Sequence, residues 1–263
     1  MRMSRPAGEA GRGRRWGLPV AVALAVLPVA WLTIKGRQVI LFGQDRPSLF
    51  TARVAEMEQT RINPPLQDAV LLAGSSFIEK WTTSEEDLSP LPSVNVGIGG
   101  TKIGDHIHYV SRLVFPFNPR ALVIYAGSND INGLPFFSKP ADEVVRRVKR
   151  YVAAVHARFP ALRIYYVGIV ETPLRQAVRG EVKKANSALA AWAAETGEIV
   201  FVSTDGMLRD DGGIDESLFV GDRLHLNRKG YRKFATAVRE AVLSDLGDPE
   251  GEFAASGQGG SLS

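Results

Sequence analysis

The sequence predicts an α/β fold, a three-layer α/β/α sandwich built on a parallel sheet of five strands. Two observations carry this. Five short apolar runs of strand length alternate with longer segments whose apolar residues recur at helical spacing. Short clusters of glycine, serine and asparagine follow the first three runs, where a doubly wound sheet gathers its loops at the strands' carboxyl ends.

The elements follow in order. Residues 1–16 form a basic leader with Arg2, Arg5, Arg12, Arg14 and Arg15 against Glu9. Within 17–35, the seventeen residues from Leu18 to Ile34 are apolar and uncharged, at the short end of what spans a bilayer. An uncleaved signal anchor fits better than a cleaved signal peptide: Lys35-Gly36-Arg37 follow at once, and Pro28-Val29-Ala30 is a poor cleavage site. A buried core helix fits least. Arginines in front of the segment place the N-terminus inside and the body outside the membrane, and cleavage would instead give a secreted protein. Residues 36–66 read as a linker carrying one amphipathic helix, with Phe50, Val54 and Met57 on one face and Pro64-Pro65 as its stop.

The main domain spans 67–246. Its expected strands are Ala69–Ala73, Val94–Val96, Ala121–Ala126, Leu162–Val170 and Glu198–Ser203. Pro140 opens a helix with Asp142 and Glu143 in its first turn and Val144, Val145, Val148 and Val152 on one face. Val182, Ala185, Leu189 and Trp192 mark the next helix. Tyr231, Phe234, Val238 and Val242 mark the last, with Asn227 as its N-cap. The tail, 247–263, has the composition of a disordered end, and no internal repeat is present.

Charge excludes one class of partner. The formal charge of +4 resides in the leader, and the rest of the chain carries 27 basic and 27 acidic residues. Nucleic-acid binding needs a clustered basic excess that a neutral body lacks. The absence of cysteine excludes disulfides and thiol catalysis without identifying a compartment.

Chemistry is carried by four segments: Gly74-Ser75-Ser76, Gly97-Ile98-Gly99-Gly100-Thr101, Gly127-Ser128-Asn129-Asp130 and Asp222-Arg223-Leu224-His225. A serine after a strand and a late Asp-x-x-His are the parts of a serine esterase, in an order unlike that of the two well-known protease folds. Acyl transfer needs a nucleophile, a base, a group that orients the base and donors for the oxyanion. Serine, histidine and aspartate supply the first three; a glycine N–H and an asparagine amide could supply the donors.

These blocks, in this order, resemble the SGNH (GDSL-type) hydrolases over Val70 to about Val242. The resemblance implies a flavodoxin-like sheet and a carboxylic ester hydrolase, lipase or esterase, that works without metal or cofactor. It makes Ser76 the nucleophile, His225 the base and Asp222 the group that orients it. The Ser76 and Gly100 N–H groups and the Asn129 amide would form the oxyanion hole. Ser75 departs from the family's aspartate, as in the subset written Gly-Ser-Ser with a tryptophan downstream, here Trp81. An extracytoplasmic location adds acylated cell-envelope carbohydrate or lipid as the expected substrate and the membrane as a partner. An O-acyltransferase using the same residues, or a non-catalytic envelope-binding protein on the same fold, are the alternatives. Acyl chain length, the alcohol and the oligomeric state are not legible.

Blander readings stand beside these. Ser75-Ser76 and Asn129-Asp130 could be turn chemistry, with Asp130 bonding nearby backbone, and Asp222-x-x-His225 could cap the last helix. Asp105-His106-Ile107-His108 imitates a metal cluster but falls on an expected helix, where it reads as a solvated face. Gly97–Lys102 matches neither the Walker nor the dinucleotide phosphate loop. His156 reads as structural, and Pro135, Phe136 and Phe137 either line an apolar pocket or pack their loop down.

The topology is directly testable. A reporter fused after Arg37 is expected to be active only outside the cytoplasm; activity confined to the cytoplasm would reverse the orientation.

Overall fold

Strand residues in this chain are apolar on both sides because both faces of the sheet are covered. In the computed structural model, which describes residues 45–61 and 64–246, Leu71 and Ala73 of the first strand point into one buried cluster while Val70 and Leu72 point into the other. The leader, the expected anchor and the tail lie outside the described residues. Among the described residues no helix is long and apolar enough to cross a membrane.

A short 3-10 turn, Pro47–Phe50, leads into α1 (Thr51–Thr60). The sheet follows as β1 (Val70–Gly74), β2 (Ser93–Asn95), β3 (Ala121–Tyr125), β4 (Arg163–Val167) and β5 (Val200–Val202). All pairings are parallel and the spatial order is β2-β1-β3-β4-β5, the flavodoxin-like arrangement. Between the strands lie α2 (Ser76–Glu79), α3 (Ser84–Asp87), α4 (Ile103–Leu113), α5 (Ala141–His156) and α6 (Arg179–Thr196), and α7 (Arg228–Leu246) follows β5.

One face is covered by α4, α5 and α6 through Val110, Val144, Val148, Val152, Val182, Leu189 and Trp192. The other is covered by α7 with α2 and α3, through Phe77, Ile78, Trp81, Phe234, Val238 and Val242. Each such side chain, fully buried, contributes about 1.5–3 kcal/mol from the area it removes from water. Asn227 caps α7 as expected, accepting from the Lys229 and Gly230 N–H groups. A satellite cluster of Phe50, Val54, Ile98, Tyr109 and Leu113 fixes α1 on α4.

Two expectations change. The run Leu162–Val170 is buried apart from Arg163, but β4 stops at Val167. Ile169 turns its N–H and C=O to the Asn186 side chain, so apolar chain continues where the ladder does not. Asp105 and His106 are not a solvated face; both are buried. Asp105 accepts from the Lys102 N–H at the head of α4, and His106 Nε2 lies 3.0 Å from Thr101 Oγ1. Burial pushes the His106 imidazole down to about 4, so it is neutral. His156 meets the Leu162 carbonyl at 3.1 Å, the structural role expected of it.

The glycine loop after β2 runs against the backbone of α2. A Cβ on Gly97 would sit 2.3 Å from the Glu79 amide nitrogen and 2.8 Å from the Ile78 carbonyl carbon, with no side-chain end there to move aside. Gly97→Ala is therefore expected to cost about 1–3 kcal/mol, lowering the melting temperature by roughly 2–4 °C per kcal/mol for a domain of this size. An unchanged melting curve would show that the contact is not tight.

Candidate active site

The chain order of the sheet prepares a crevice. β1 lies between β2 and β3, so crossovers leave it toward opposite faces and the loops after these strands open at a switch point. Ser76 stands at the head of α2, directly after β1. Gly74 ends that strand with φ +153, and a Cβ there would lie 2.3 Å from the Tyr125 carbonyl oxygen, so the turn needs glycine. Ser75 donates its N–H to that same carbonyl, and its side chain is buried without a hydrogen-bond partner. Ser76, by contrast, is partly exposed.

Three further contacts hold α2 in place. Asn95, at the end of β2, donates its amide to the Ile78 carbonyl at 2.7 Å while accepting from the Gly97 N–H at 2.9 Å. Phe77 stacks on Tyr125 with ring centroids 4.7 Å apart. Tyr231 of α7 donates to the Phe77 carbonyl.

Asp222 to His225 form a tight turn ahead of α7. Arg223 adopts φ 59 within it, and the bridge between Phe219 and Leu226 closes it. Asp222 Oδ1 accepts from the backbone N–H groups of Leu224 and His225, both at 2.9 Å. Its Oδ2 lies 2.6 Å from His225 Nδ1, and His225 Nε2 lies 2.9 Å from Ser76 Oγ. Desolvation alone would raise the Asp222 carboxyl. The hydrogen bonds from the His225 ring and the two backbone donors outweigh it and hold the carboxyl at about 2. An ionised carboxylate only accepts, so Nδ1 carries the ring proton and Nε2 presents a lone pair to the serine hydroxyl. The arrangement can therefore remove a proton from Ser76 as its oxygen attacks an electrophile.

The glycine turn and the loop after β3 complete the surroundings. Gly100 has φ 84, and among the described residues neither its N–H nor that of Ser76 meets a protein acceptor. Asn129 donates from Nδ2 to the Thr101 carbonyl at 3.0 Å, adjacent to Gly100. Asp130 is more than a turn residue. It is fully buried, accepts from the Ile103 N–H at 3.1 Å and pairs with Arg147 at 3.3 Å, tying the Asn129 loop to the head of α4.

Ser76, His225 and Asp222 thus form one hydrogen-bonded chain, with Asn129 joined to the Gly100 turn. Sequence reasoning passed over Arg175, whose guanidinium contacts both Ser128 and Asn129. Its partners come from a distant segment, so no local pattern marks it. Phe136 neither lines a pocket nor packs its loop, since it is fully exposed. Among the described residues no group of His, Asp or Glu is placed to hold a metal ion.

Residues 78–233 match the family model of the GDSL-like lipase/acylhydrolase family, a span that begins two residues after Ser76 and includes Gly100, Asn129, Asp222 and His225. Among curated proteins none matches the chain. Solved structures share its fold at low identity. A candidate platelet activating factor from Streptococcus pneumoniae is 19% identical, with a TM-score of 0.62 over 84% of this chain and 98% of that one. A carbohydrate esterase family 3 protein from Talaromyces cellulolyticus is 18% identical, with a TM-score of 0.52 over 68% and 97%. The catalytic domain of a Streptococcus pneumoniae peptidoglycan O-acetyltransferase is 15% identical, with a TM-score of 0.53 over 70% and 97%.

The buried Asp130 makes stability depend on pH. Desolvation raises its carboxyl from 3.8 to about 6 against the opposing pull of the Ile103 N–H and Arg147. A native pKa above the unfolded one means that the native state holds the proton more tightly. That contribution is fully present below about pH 4 and lost as pH rises through about 6, roughly 3 kcal/mol in all. Asp130→Asn keeps an acceptor for the Ile103 N–H and removes the titration. Urea unfolding from pH 4 to 7 should show wild type losing stability relative to Asp130→Asn, and a constant difference would refute the assignment.

Proposed function

The chain belongs to the GDSL-like lipase/acylhydrolase family, whose members are SGNH-type hydrolases, and from that premise we propose that it is a serine esterase with Ser76, His225 and Asp222 as its catalytic triad. The observation that carries the proposal is the unbroken hydrogen-bond chain from Asp222 through His225 to Ser76 Oγ. Ser76 Oγ attacks the ester carbonyl carbon while His225 Nε2 takes the hydroxyl proton. Asp222 holds the ring by Nδ1 and stabilises the imidazolium that forms. The N–H groups of Ser76 and Gly100 and the Asn129 amide stabilise the tetrahedral oxyanion. His225 then protonates the departing alcohol oxygen, leaving an acyl-Ser76, and water activated by the same histidine releases the acid.

The substrate we propose is an acylated carbohydrate or lipid of the cell envelope, met outside the membrane to which residues 17–35 anchor the enzyme. Two features support this: the charged-then-apolar leader in the sequence, and a fold shared with a carbohydrate esterase and a peptidoglycan O-acetyltransferase. The second of those relatives also favours a transferase reading, in which a sugar hydroxyl replaces water in the deacylation step. Product analysis with and without a glycan acceptor separates the two.

A fluorophosphonate probe is expected to label the wild type, losing fluoride as Ser76 Oγ bonds to phosphorus, and to leave Ser76→Ala unlabelled. With p-nitrophenyl acetate, Ser76→Ala should lower kcat by at least about 10⁴-fold and Asn129→Ala by roughly 10²–10³-fold. No labelling of the wild type, or equal labelling of Ser76→Ala, would overturn the esterase reading.

A further inference from the structure

A short 3-10 turn, Pro173–Val178, follows β4 and touches both loops of the candidate active site. The Leu174 N–H donates to the Arg223 carbonyl at 2.9 Å, inside the Asp222–His225 turn. One residue on, Arg175 sends its guanidinium to the loop after β3. Nη1 donates to the Ser128 carbonyl at 2.5 Å and to Ser128 Oγ at 2.9 Å, and Nη2 donates to Asn129 Oδ1 at 2.9 Å. No carboxylate forms an ion pair with Arg175 among the described residues, and burial lowers the pKa of its guanidinium.

The Asn129 amide is therefore held at both ends. Its oxygen accepts from a cation, and one of its two N–H bonds goes to the Thr101 carbonyl beside Gly100. A primary amide held at neither end turns over readily, exchanging a donor for an acceptor in the same place. Turned over, Asn129 would aim a carbonyl oxygen at the Gly100 turn and repel a developing oxyanion. An arginine cannot accept a hydrogen bond, so with Arg175 in position the turned amide would set N–H against N–H. A cation on Oδ1 also draws electron density from the amide nitrogen, which strengthens the remaining N–H as a donor.

We propose that Arg175 is a positioning residue for the oxyanion hole: its guanidinium fixes the orientation of the Asn129 amide and polarises it. The proposal rests on the esterase reading above. Because the amide acts on charge that exists only in the transition state, Arg175 works on kcat and leaves KM for a small ester nearly unchanged. Lysine is a poor replacement, since a single ammonium cannot reproduce the fork that spans Ser128 and Asn129.

The test is a double-mutant cycle on p-nitrophenyl acetate hydrolysis, with the rate of fluorophosphonate labelling as a second readout. Arg175→Met is expected to lower kcat by about 10–100-fold with KM within about twofold of wild type, and to slow labelling in proportion. In the Asn129→Ala background the same substitution should lower kcat by less than about threefold, because the group through which it acts is gone. Arg175→Lys should fall between Arg175→Met and wild type. Circular dichroism and thermal melting establish that the variants are folded; should Arg175→Met fail to fold, Arg175→Gln and Arg175→Lys carry the same cycle. Multiplicative losses in the cycle, or a raised KM with kcat intact, would overturn the role of Arg175 while leaving the esterase reading standing. Absence of both turnover and labelling in the wild type would overturn both.

Discussion

The geometry of the site depends on how closely three loops approach one another at the carboxyl ends of β1, β2 and β3. Gly74 lies against the Tyr125 carbonyl, and Gly97 lies against the backbone of α2. Neither approach leaves room for a Cβ, so the glycines set the separation between the loops. Asn95 then fixes α2, which begins at Ser76, to the glycine turn, and Asp130 fixes the Asn129 loop to the head of α4. The positions of Ser76, Gly100 and Asn129 follow from these contacts rather than from anything local to each residue.

Two carboxylates show how the same side chain is put to different use. Asp222 is half-exposed, yet three hydrogen bonds keep it ionised, and that charge fixes which nitrogen of His225 faces Ser76. Asp130 is fully buried, and desolvation makes its ionisation costly. It persists because it satisfies the Ile103 N–H and Arg147 together. Arg147 also pairs with Asp45 at 2.7 Å, so the segment ahead of α1 is tied to the network behind the Asn129 loop. A half-satisfied network of this kind would cost more than an apolar core.

What the sequence made legible follows from what is local. The five strands were readable because full burial on both faces leaves apolar runs, and the four polar segments stood out against them. Strand ends were not readable: Ile169 and Val170 are as buried as β4 itself, and only the Asn186 side chain, seventeen residues on, takes Ile169 off the ladder. Asp105 and His106 misled for a related reason. Polar residues on a helix read as a solvated face unless their partners are known, and those partners, the Lys102 N–H and Thr101, come from the turn before the helix. Ser76, Asp222 and His225 could be singled out by residue type and spacing. Arg175 could not, because an arginine on a loop has no signature until its partners are in place.

The exposure of the site bears on what it can accept. Asp222 is 46% exposed at its side chain and His225 17% exposed, so the outer edge of the hydrogen-bonded chain faces solvent. Around it Leu174 and Val220 are exposed apolar side chains whose backbones bond to the Asp222–His225 turn. A small soluble ester would bury little surface in such a crevice and gain little binding energy from it. On the reading proposed above, an ester carried on a glycan or at a lipid surface would bring its own bulk, and the polymer or surface could lie across the open rim while one acyl group reached Ser76. On the same reading, the openness would admit either water or a second hydroxyl to the acyl-enzyme. Hydrolysis and transfer would then differ in which oxygen reaches His225 first, since the proposed triad serves both.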